Sequence, residues 1–135
     1  MENKLMEGLT KNNSHIIGFV YTCLFCGAII ESDINEWAIN TLSSRDISCL
    51  PTYIIDLMDA QELKSPSRGI EKIIGFVPSW KRKKEQEYAL YGIAIKQGRN
   101  ALCDAPVNET EALDALRKHP EIEKLFRKTF PFIKF

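Results

Sequence analysis

The stretch Ile16–Ile30, IIGFVYTCLFCGAII, decides the fold because it contains no charged side chain. As an α-helix it would reach about 22 Å at roughly 1.5 Å per residue, whereas the hydrocarbon layer of a bilayer is about 30 Å thick. Gly18, Thr22 and Gly27 also dilute its apolar character. The stretch is therefore predicted to be a buried core helix rather than a membrane span.

A signal peptide is the other alternative for this stretch, since Lys4 and Lys11 precede it as a charged leader would require. However, Glu2 and Glu7 lie in the same leader region, and no small-x-small cleavage site follows Ile30. We therefore expect a cytoplasmic protein that does not bind membranes. In that reducing compartment its four cysteines should be free thiols.

The composition is that of an ordinary globular protein. A chain of 135 residues fits one domain, and its hydrophobic and charged fractions are 44% and 27%. Lys plus Arg number 18 and Asp plus Glu also number 18. This balance gives no overall field that would hold nucleic acid or an anionic membrane, so any electrostatic function must come from local patches.

Helices are predicted after the apolar stretch from the spacing of apolar residues and from capping signals. Ser14 is a suitable N-cap for the first helix, and Asp33 with Glu36 has the capping-box spacing for the second. A third helix is expected to start at Pro51, and Pro78 should end a fourth. This half of the chain thus predicts four helices.

The second half of the chain predicts three more helices. Gly98 suits the residue after the fifth, Asn108 should cap the sixth, and the seventh should run from Pro120 to Pro131. Strands are not expected, because no stretch alternates apolar and polar residues and no Asn-Gly or Asp-Gly hairpin turn occurs. The predicted fold class is all-α: one domain over residues 1–135, a compact bundle of six or seven short helices around the apolar one.

The cysteines are the first candidates for chemistry. Cys23 and Cys26 form a C-x-x-C pair, but a redox pair needs an exposed electropositive setting and this one lies inside the apolar stretch. A zinc site built from Cys23, Cys26, Cys49 and Cys103 would have only one closely spaced pair, whereas structural zinc sites usually have two. Structural burial is the favoured interpretation.

The two histidines, His15 and His119, are predicted at exposed helix ends, and nothing in the sequence brings them together. No Gly-x-Ser-x-Gly turn and no glycine-rich phosphate loop occurs. We therefore expect no catalytic residues, no metal, no cofactor and no enzymatic activity.

A basic run follows Trp80 and consists of Lys81, Arg82, Lys83 and Lys84. One interpretation is a small nucleic-acid-binding helical module, in which the run contacts phosphates and a base stacks on Trp80. The other is a solvated turn whose charge is offset by Glu85 and Glu87. Four cations also suit the positive N-terminal end of a helix poorly, which indicates either an outside partner or a later start of the fifth helix.

Acidic residues are the remaining charge feature. Asp56, Asp59 and Glu62 recur every third residue, which predicts that they share one face of the third helix. Asp33 and Glu36 lie at the start of the neighbouring helix. Such a surface can meet a basic protein and steer its encounter, and the simpler alternative is a helix side that faces water.

The layout of short helices and two stretches of sequence make the chain similar to small bacterial immunity proteins. The stretches are Asp-Ile-x-Glu-Trp-Ala-Ile at 33–39 and His-Pro-Glu-Ile-Glu-Lys-Leu-Phe at 119–126. Immunity proteins are the cytosolic partners of toxins delivered by contact-dependent growth inhibition. The resemblance implies a non-catalytic protein that binds the C-terminal domain of its cognate toxin, often an RNase, and blocks the active site.

The same resemblance implies where the toxin would bind. The implied contact residues are Asp33, Glu36, Asp56, Asp59 and Glu62, whose carboxylates would stand in for phosphates against a basic cleft. Direct contact with nucleic acid is not part of this hypothesis. The sequence leaves the oligomeric state open.

Overall fold

The computed structural model describes residues 7–99 and 105–135. Within these residues there are seven α-helices, one short 3₁₀ helix and no strand. The α-helices are α1 (His15–Phe25), α2 (Glu31–Ser44), α3 (Tyr53–Leu57), α4 (Ile70–Ile74), α5 (Lys84–Lys96), α6 (Glu109–Lys118) and α7 (Pro120–Thr129), and the 3₁₀ helix is Ile47–Cys49. The predicted all-α class is confirmed.

Helix α1 is shorter than the sequence predicted, because it ends at Phe25 and not at Ile30. Gly27 has a φ of 78°, a left-handed conformation that glycine adopts without steric cost. The amide of Ala28 then turns back to the Cys23 carbonyl at 3.0 Å. This is the usual way in which a glycine ends a helix.

The apolar stretch is nevertheless buried, as predicted. Side chains with at most 1% exposure include Ile17, Phe19, Val20, Cys23, Leu24 and Ile29. Phe25 and Ile30 are about half exposed, at 47% and 48%. None of the helices formed by residues 7–99 and 105–135 is long and apolar enough to cross a membrane.

The side chain of Ser14 does not act as the predicted N-cap of α1. The amides of Ile16 and Ile17 both donate to the Gly8 carbonyl at 2.9 Å. The Ser14 hydroxyl instead accepts from the Ser79 amide at 2.9 Å. A distant segment of the chain therefore takes the hydrogen bond that local reasoning assigned to the helix end.

Three other helix ends differ from their predictions, and the first is the start of α3, which lies at Tyr53 and not at Pro51. Helix α2 begins at Glu31, so Asp33 lies within its first turn and is not a cap. Helix α4 ends at Ile74 and not at Pro78, and the following Gly75 has a left-handed φ of 87°. Val77, which the predicted end at Pro78 would have included in the helix, lies outside it and is 68% exposed.

The helix ends in the second half of the chain were predicted correctly. Gly98 is left-handed, with a φ of 79°, just after α5. Asn108 Oδ1 accepts from the Glu111 amide at 2.8 Å, and the Glu111 carboxylate accepts from the Asn108 amide at 3.2 Å. Pro120 is the first residue of α7, which ends at Thr129 shortly before Pro131.

The chain divides into two compact units. The first comprises Met1–Tyr21 with Glu31–Lys81, and the second comprises Thr22–Ile30 with Arg82–Phe135. In the first unit α2 packs against α3, and α3 packs against α4. In the second unit α5 packs against α6 and α7. A single domain over residues 1–135 stays a prediction.

Candidate functional site

The five carboxylates implied as toxin contacts all belong to the first unit, and we refer to them as the contact carboxylates. They are Asp33, Glu36, Asp56, Asp59 and Glu62. Four of them are exposed and Asp33 is partly exposed. Helix α3 ends at Leu57, however, so Asp59 and Glu62 lie beyond it. The prediction that Asp56, Asp59 and Glu62 share one helix face is therefore wrong.

The early end of α3 has a cause in helix α2. The side-chain amide of Asn35 donates to the Leu57 carbonyl at 2.8 Å and to the Ala60 carbonyl at 3.1 Å. In a continuing helix these carbonyls would accept from amides four residues further along. Asn35 supplies donors from another helix, so the backbone after Leu57 can leave the helical path with its acceptors satisfied.

Glu62 lies where this segment turns. Its φ is 54°, and it is the only non-glycine residue with a positive φ in the described part of the chain. Such a conformation costs an ordinary residue on the order of 1 kcal/mol and persists only when its surroundings hold it. The next amide, that of Leu63, donates to Glu31 Oε2 at 2.8 Å, and the Glu62 carboxylate pairs with Arg68 at 3.0 Å.

Three exposed isoleucines accompany the contact carboxylates, and the sequence analysis missed them. Ile39 of α2, Ile47 of the 3₁₀ helix and Ile55 of α3 are 38%, 60% and 49% exposed. Ile55 precedes Asp56, and Ile39 follows Glu36 by three residues, about one helical turn. Isolated exposed apolar side chains are ordinary, whereas a protein-binding surface combines an apolar centre with a polar rim.

The basic run is partly engaged by its neighbours. The Trp80 ring meets the Phe19 ring edge-on at a centroid distance of 4.9 Å, so Trp80 takes part in packing. Arg82 pairs with Glu87 at 2.7 Å, as the solvated-turn interpretation expects for that cation. The lysines at positions 81, 83 and 84 are exposed, and α5 starts at the last of them. The structure thus leaves three exposed cations but no unpacked tryptophan beside them.

The cysteine pair has the buried character that the sequence predicted. Cys23 is fully buried and Cys26 is 3% exposed. Burial raises the pKa of the Cys23 thiol well above its usual value, and the neighbouring Cys26 adds to the effect. Cys49 is a partly exposed free thiol, and Cys103 lies outside the described residues. Residues 7–99 and 105–135 hold no cluster of His, Cys, Asp or Glu fit to bind a metal ion.

The histidines lie at helix ends, as predicted. His15 is exposed at the start of α1, and its ring Nδ1 lies 2.8 Å from Asn13 Oδ1. The side chain of His119, predicted as exposed, is only 19% exposed and lies between two carboxylates. Its Nε2 is 3.1 Å from Glu85 and its Nδ1 is 3.0 Å from Glu121, and these hydrogen bonds raise its pKa.

The candidate site is therefore the part of the first unit formed by α2, α3 and residues 58–63, where the contact carboxylates lie. Side chains of α2 hold the backbone of that segment, and the carboxylates and isoleucines are turned to solvent. Comparison with known proteins leaves this assignment to the residues themselves, since no protein-family model matches the chain and no curated protein or solved structure gave a significant match.

Proposed function

We propose that this chain is a non-catalytic immunity protein that binds the C-terminal domain of a cognate toxin and neutralises it. One observation carries the proposal. Four exposed carboxylates, Glu36, Asp56, Asp59 and Glu62, lie on α2, α3 and a following segment that Asn35 and Glu31 hold by hydrogen bonds. The proposal places the protein in the cytoplasm, where an imported toxin would act.

The chemistry of the site suits a basic partner. A nuclease domain binds its substrate through cationic side chains that contact phosphates. Carboxylates fixed on a folded surface can accept hydrogen bonds from the same lysine and arginine side chains, and charge-assisted bonds of this kind are the stronger ones. Ile39 and Ile55 add apolar area beside the charges. Occupying the cleft in this way would exclude RNA from the toxin's active site.

The conformation of Glu62 gives independent support. A left-handed glutamate is less stable than a glycine at the same position, and such positions cluster at functional sites. If the carboxylate is retained for binding, Glu62→Gly should keep or raise the free energy of unfolding while it weakens toxin binding. A purely structural Glu62 would show the opposite, a loss of stability with no change in binding.

The decisive experiment first looks for a toxin gene beside the gene for this chain and then uses the C-terminal domain that such a gene encodes. Co-expression with this chain should restore growth of cells that make the toxin, and the purified proteins should form a complex measurable by calorimetry. The double variant Asp56→Asn/Asp59→Asn should weaken binding by about tenfold or more, mainly because association becomes slower. The affinity of this variant should also depend less on salt concentration.

A matched control separates a specific surface from a general charge effect. Glu7→Gln/Glu109→Gln changes the net charge by the same amount at two exposed positions outside the site. It should leave the affinity within about twofold of the wild type. Equal weakening by both double variants, or no complex and no growth rescue, would refute the proposed function.

The nucleic-acid-binding alternative is tested on the same protein. It predicts salt-sensitive RNA binding that is lost when Lys81, Lys83 and Lys84 are changed to alanine. The proposed function predicts that this triple variant still binds and neutralises the toxin.

A further inference from the structure

A cleft of about 440 Å³ lies in the first unit, between the turn at residues 10–13, the start of α3 and the end of α4. Pockets that hold small molecules commonly have volumes of roughly 300 to 1,000 Å³. Its apolar lining consists of Leu9, Leu50, Pro51, Tyr53, Ile74 and Phe76. None of the contact carboxylates lines it, so this cleft is separate from the surface proposed to bind a toxin.

The inner wall of the cleft offers apolar contacts to a ligand, and the hydroxyl group of Tyr53 is not available there as a hydrogen-bond donor. The Tyr53 hydroxyl donates to the Leu9 carbonyl at 2.5 Å, and the Tyr53 side chain is only 6% exposed. Its single hydrogen-bond donor is therefore already used within the fold. Leu9, Leu50 and Ile74 are likewise buried, at 0%, 7% and 7% exposure. The part of a ligand that enters this wall must be apolar.

The solvent side of the cleft has a different character. Lys11 is exposed, and it is the only charged residue among the described residues that line the cleft. The exposed hydroxyl-bearing Thr52 lies on the same lining. An apolar wall with one cation at its exposed side matches a molecule that is apolar along its body and anionic at one end.

We propose that this cleft binds a small amphiphile that has an apolar body and a carboxylate head. The body would lie against Leu50, Ile74 and Phe76, and the head would lie beside the Lys11 ammonium group. This site needs no partner protein, so its test does not depend on the proposed immunity function.

Decanoate, kept below its critical micelle concentration, is a suitable probe. In a ¹H–¹⁵N NMR titration of the full chain we expect saturable shifts for the amides of Leu9, Leu50, Tyr53, Ile74 and Phe76. Acetate has the head without the body, and decyltrimethylammonium has the body with the opposite charge. Neither should produce these saturable shifts at the same concentrations.

Charge variants then test the contribution of Lys11. Lys11→Glu should weaken decanoate binding by about fivefold or more, since it replaces an attraction at the surface by a repulsion. Lys64→Glu makes the same change of charge at an exposed residue of the same unit that does not line the cleft, and it should change the affinity by less than about twofold.

Three results would overturn the inference. The first is the absence of saturable shifts at the lining residues when decanoate is added. The second is equal binding of decanoate and decyltrimethylammonium, which would remove the role of the cation. The third is equal weakening by Lys11→Glu and Lys64→Glu, which would assign the effect to net charge alone. Both positions are exposed, so neither variant is expected to unfold the chain.

Discussion

Gly92 of α5 faces the carbonyl oxygen of Ala112 in α6 with no room for a side chain between them. A Cβ atom at Gly92 would lie 2.6 Å from that oxygen and 3.0 Å from the Cβ of Leu116. Real carbon atoms essentially never approach an oxygen so closely. The two helices of the second unit therefore pack backbone to backbone at this position.

Gly92→Ala should destabilise the protein despite the better helix propensity of alanine. In an exposed helix the change would raise stability by about 1 kcal/mol, whereas forcing an extra carbon into a packed contact costs about 1–3 kcal/mol. Because the contact is with backbone atoms of Ala112, we expect the cost at its upper end, about 2–3 kcal/mol, and hence a net loss of about 1–2 kcal/mol in the free energy of unfolding, measured with urea. Lys96→Ala, at an exposed position of α5, should stay within about 0.5 kcal/mol of the wild type. Equal or higher stability of Gly92→Ala would contradict the close approach.

Ser14→Asp distinguishes a helix cap from a contact with Ser79. Aspartate replaces serine at an N-cap with little loss. Here the Ser14 hydroxyl also lies 3.3 Å from the Ser79 carbonyl, to which it donates, and the side chain is 6% exposed. A carboxylate cannot donate to that carbonyl and would carry its charge into a buried site. We expect Ser14→Asp to lose about 2 kcal/mol and Ser14→Ala about 1 kcal/mol in urea unfolding.

The matched control for Ser14→Asp is Thr52→Asp, at the exposed residue before α3. It should be neutral within about 0.5 kcal/mol. Full stability of Ser14→Asp would restore the capping interpretation that the sequence suggested.

His119 should make stability depend on pH in a defined direction. Hydrogen bonds to Glu85 and Glu121 raise its pKa above the ordinary value of about 6.5, so the folded state favours the charged ring. This contribution is fully present below about pH 6.5 and is lost as the pH rises through the folded-state pKa. A hydrogen bond to its own backbone amide, with a further one to His119, lowers the pKa of Glu121 below its usual value, so the stability that this carboxylate contributes is present above about pH 4.5 and is lost as the pH falls further.

The measurement is the difference in free energy of unfolding between the wild type and His119→Gln. It should be largest between about pH 5 and 6 and should shrink towards pH 8.5. The difference will be small, because water screens these exposed carboxylates. In a Glu85→Gln/Glu121→Gln background the pH dependence of the His119→Gln effect should disappear. A difference that grows with rising pH would contradict this assignment.

The buried thiols should resist alkylation in the folded protein. Only the thiolate reacts, and burial keeps Cys23 protonated by raising its pKa. In a Cys103→Ser background we expect iodoacetamide at pH 8 to label Cys49 first, while Cys23 and Cys26 react only as fast as the chain opens. Peptide mass spectrometry measures each site. If Cys26 were labelled as rapidly as Cys49, the redox interpretation of the C-x-x-C pair would return.

The helix ends that sequence reasoning placed correctly are those determined by neighbouring residues. Asn108 and Glu111 satisfy each other's amides across three residues, and Pro120 brings its own fixed φ to the start of α7. The ends of α1 and α4 are also determined by nearby residues, yet they were predicted wrongly. Gly27 and Gly75 are the glycines that end these helices, but the apolar residues that follow them in the sequence favoured a prediction of longer helices.

The parts that could not be predicted depend on residues far apart in sequence. Ser14 and Ser79 are separated by 65 positions, and Asn35 reaches Leu57 across 22. No residue near Asp56 indicates that α3 ends one residue later, because the hydrogen-bond donors to the Leu57 and Ala60 carbonyls come from Asn35 of α2. The sequence could therefore identify the exposed carboxylates but could not predict the path of the backbone that carries them.

The hydrogen bonds that Asn35 donates and Glu31 accepts have a consequence for the speed and strength of the association proposed above. Fixing the backbone of one residue costs about 1–2 kcal/mol of conformational entropy, and residues 58–63 are already ordered in the free chain. Because the segment is already ordered, binding would not have to supply this conformational entropy cost. If a basic partner binds here as proposed, the two surfaces dock without folding of this segment, and long-range attraction sets the rate.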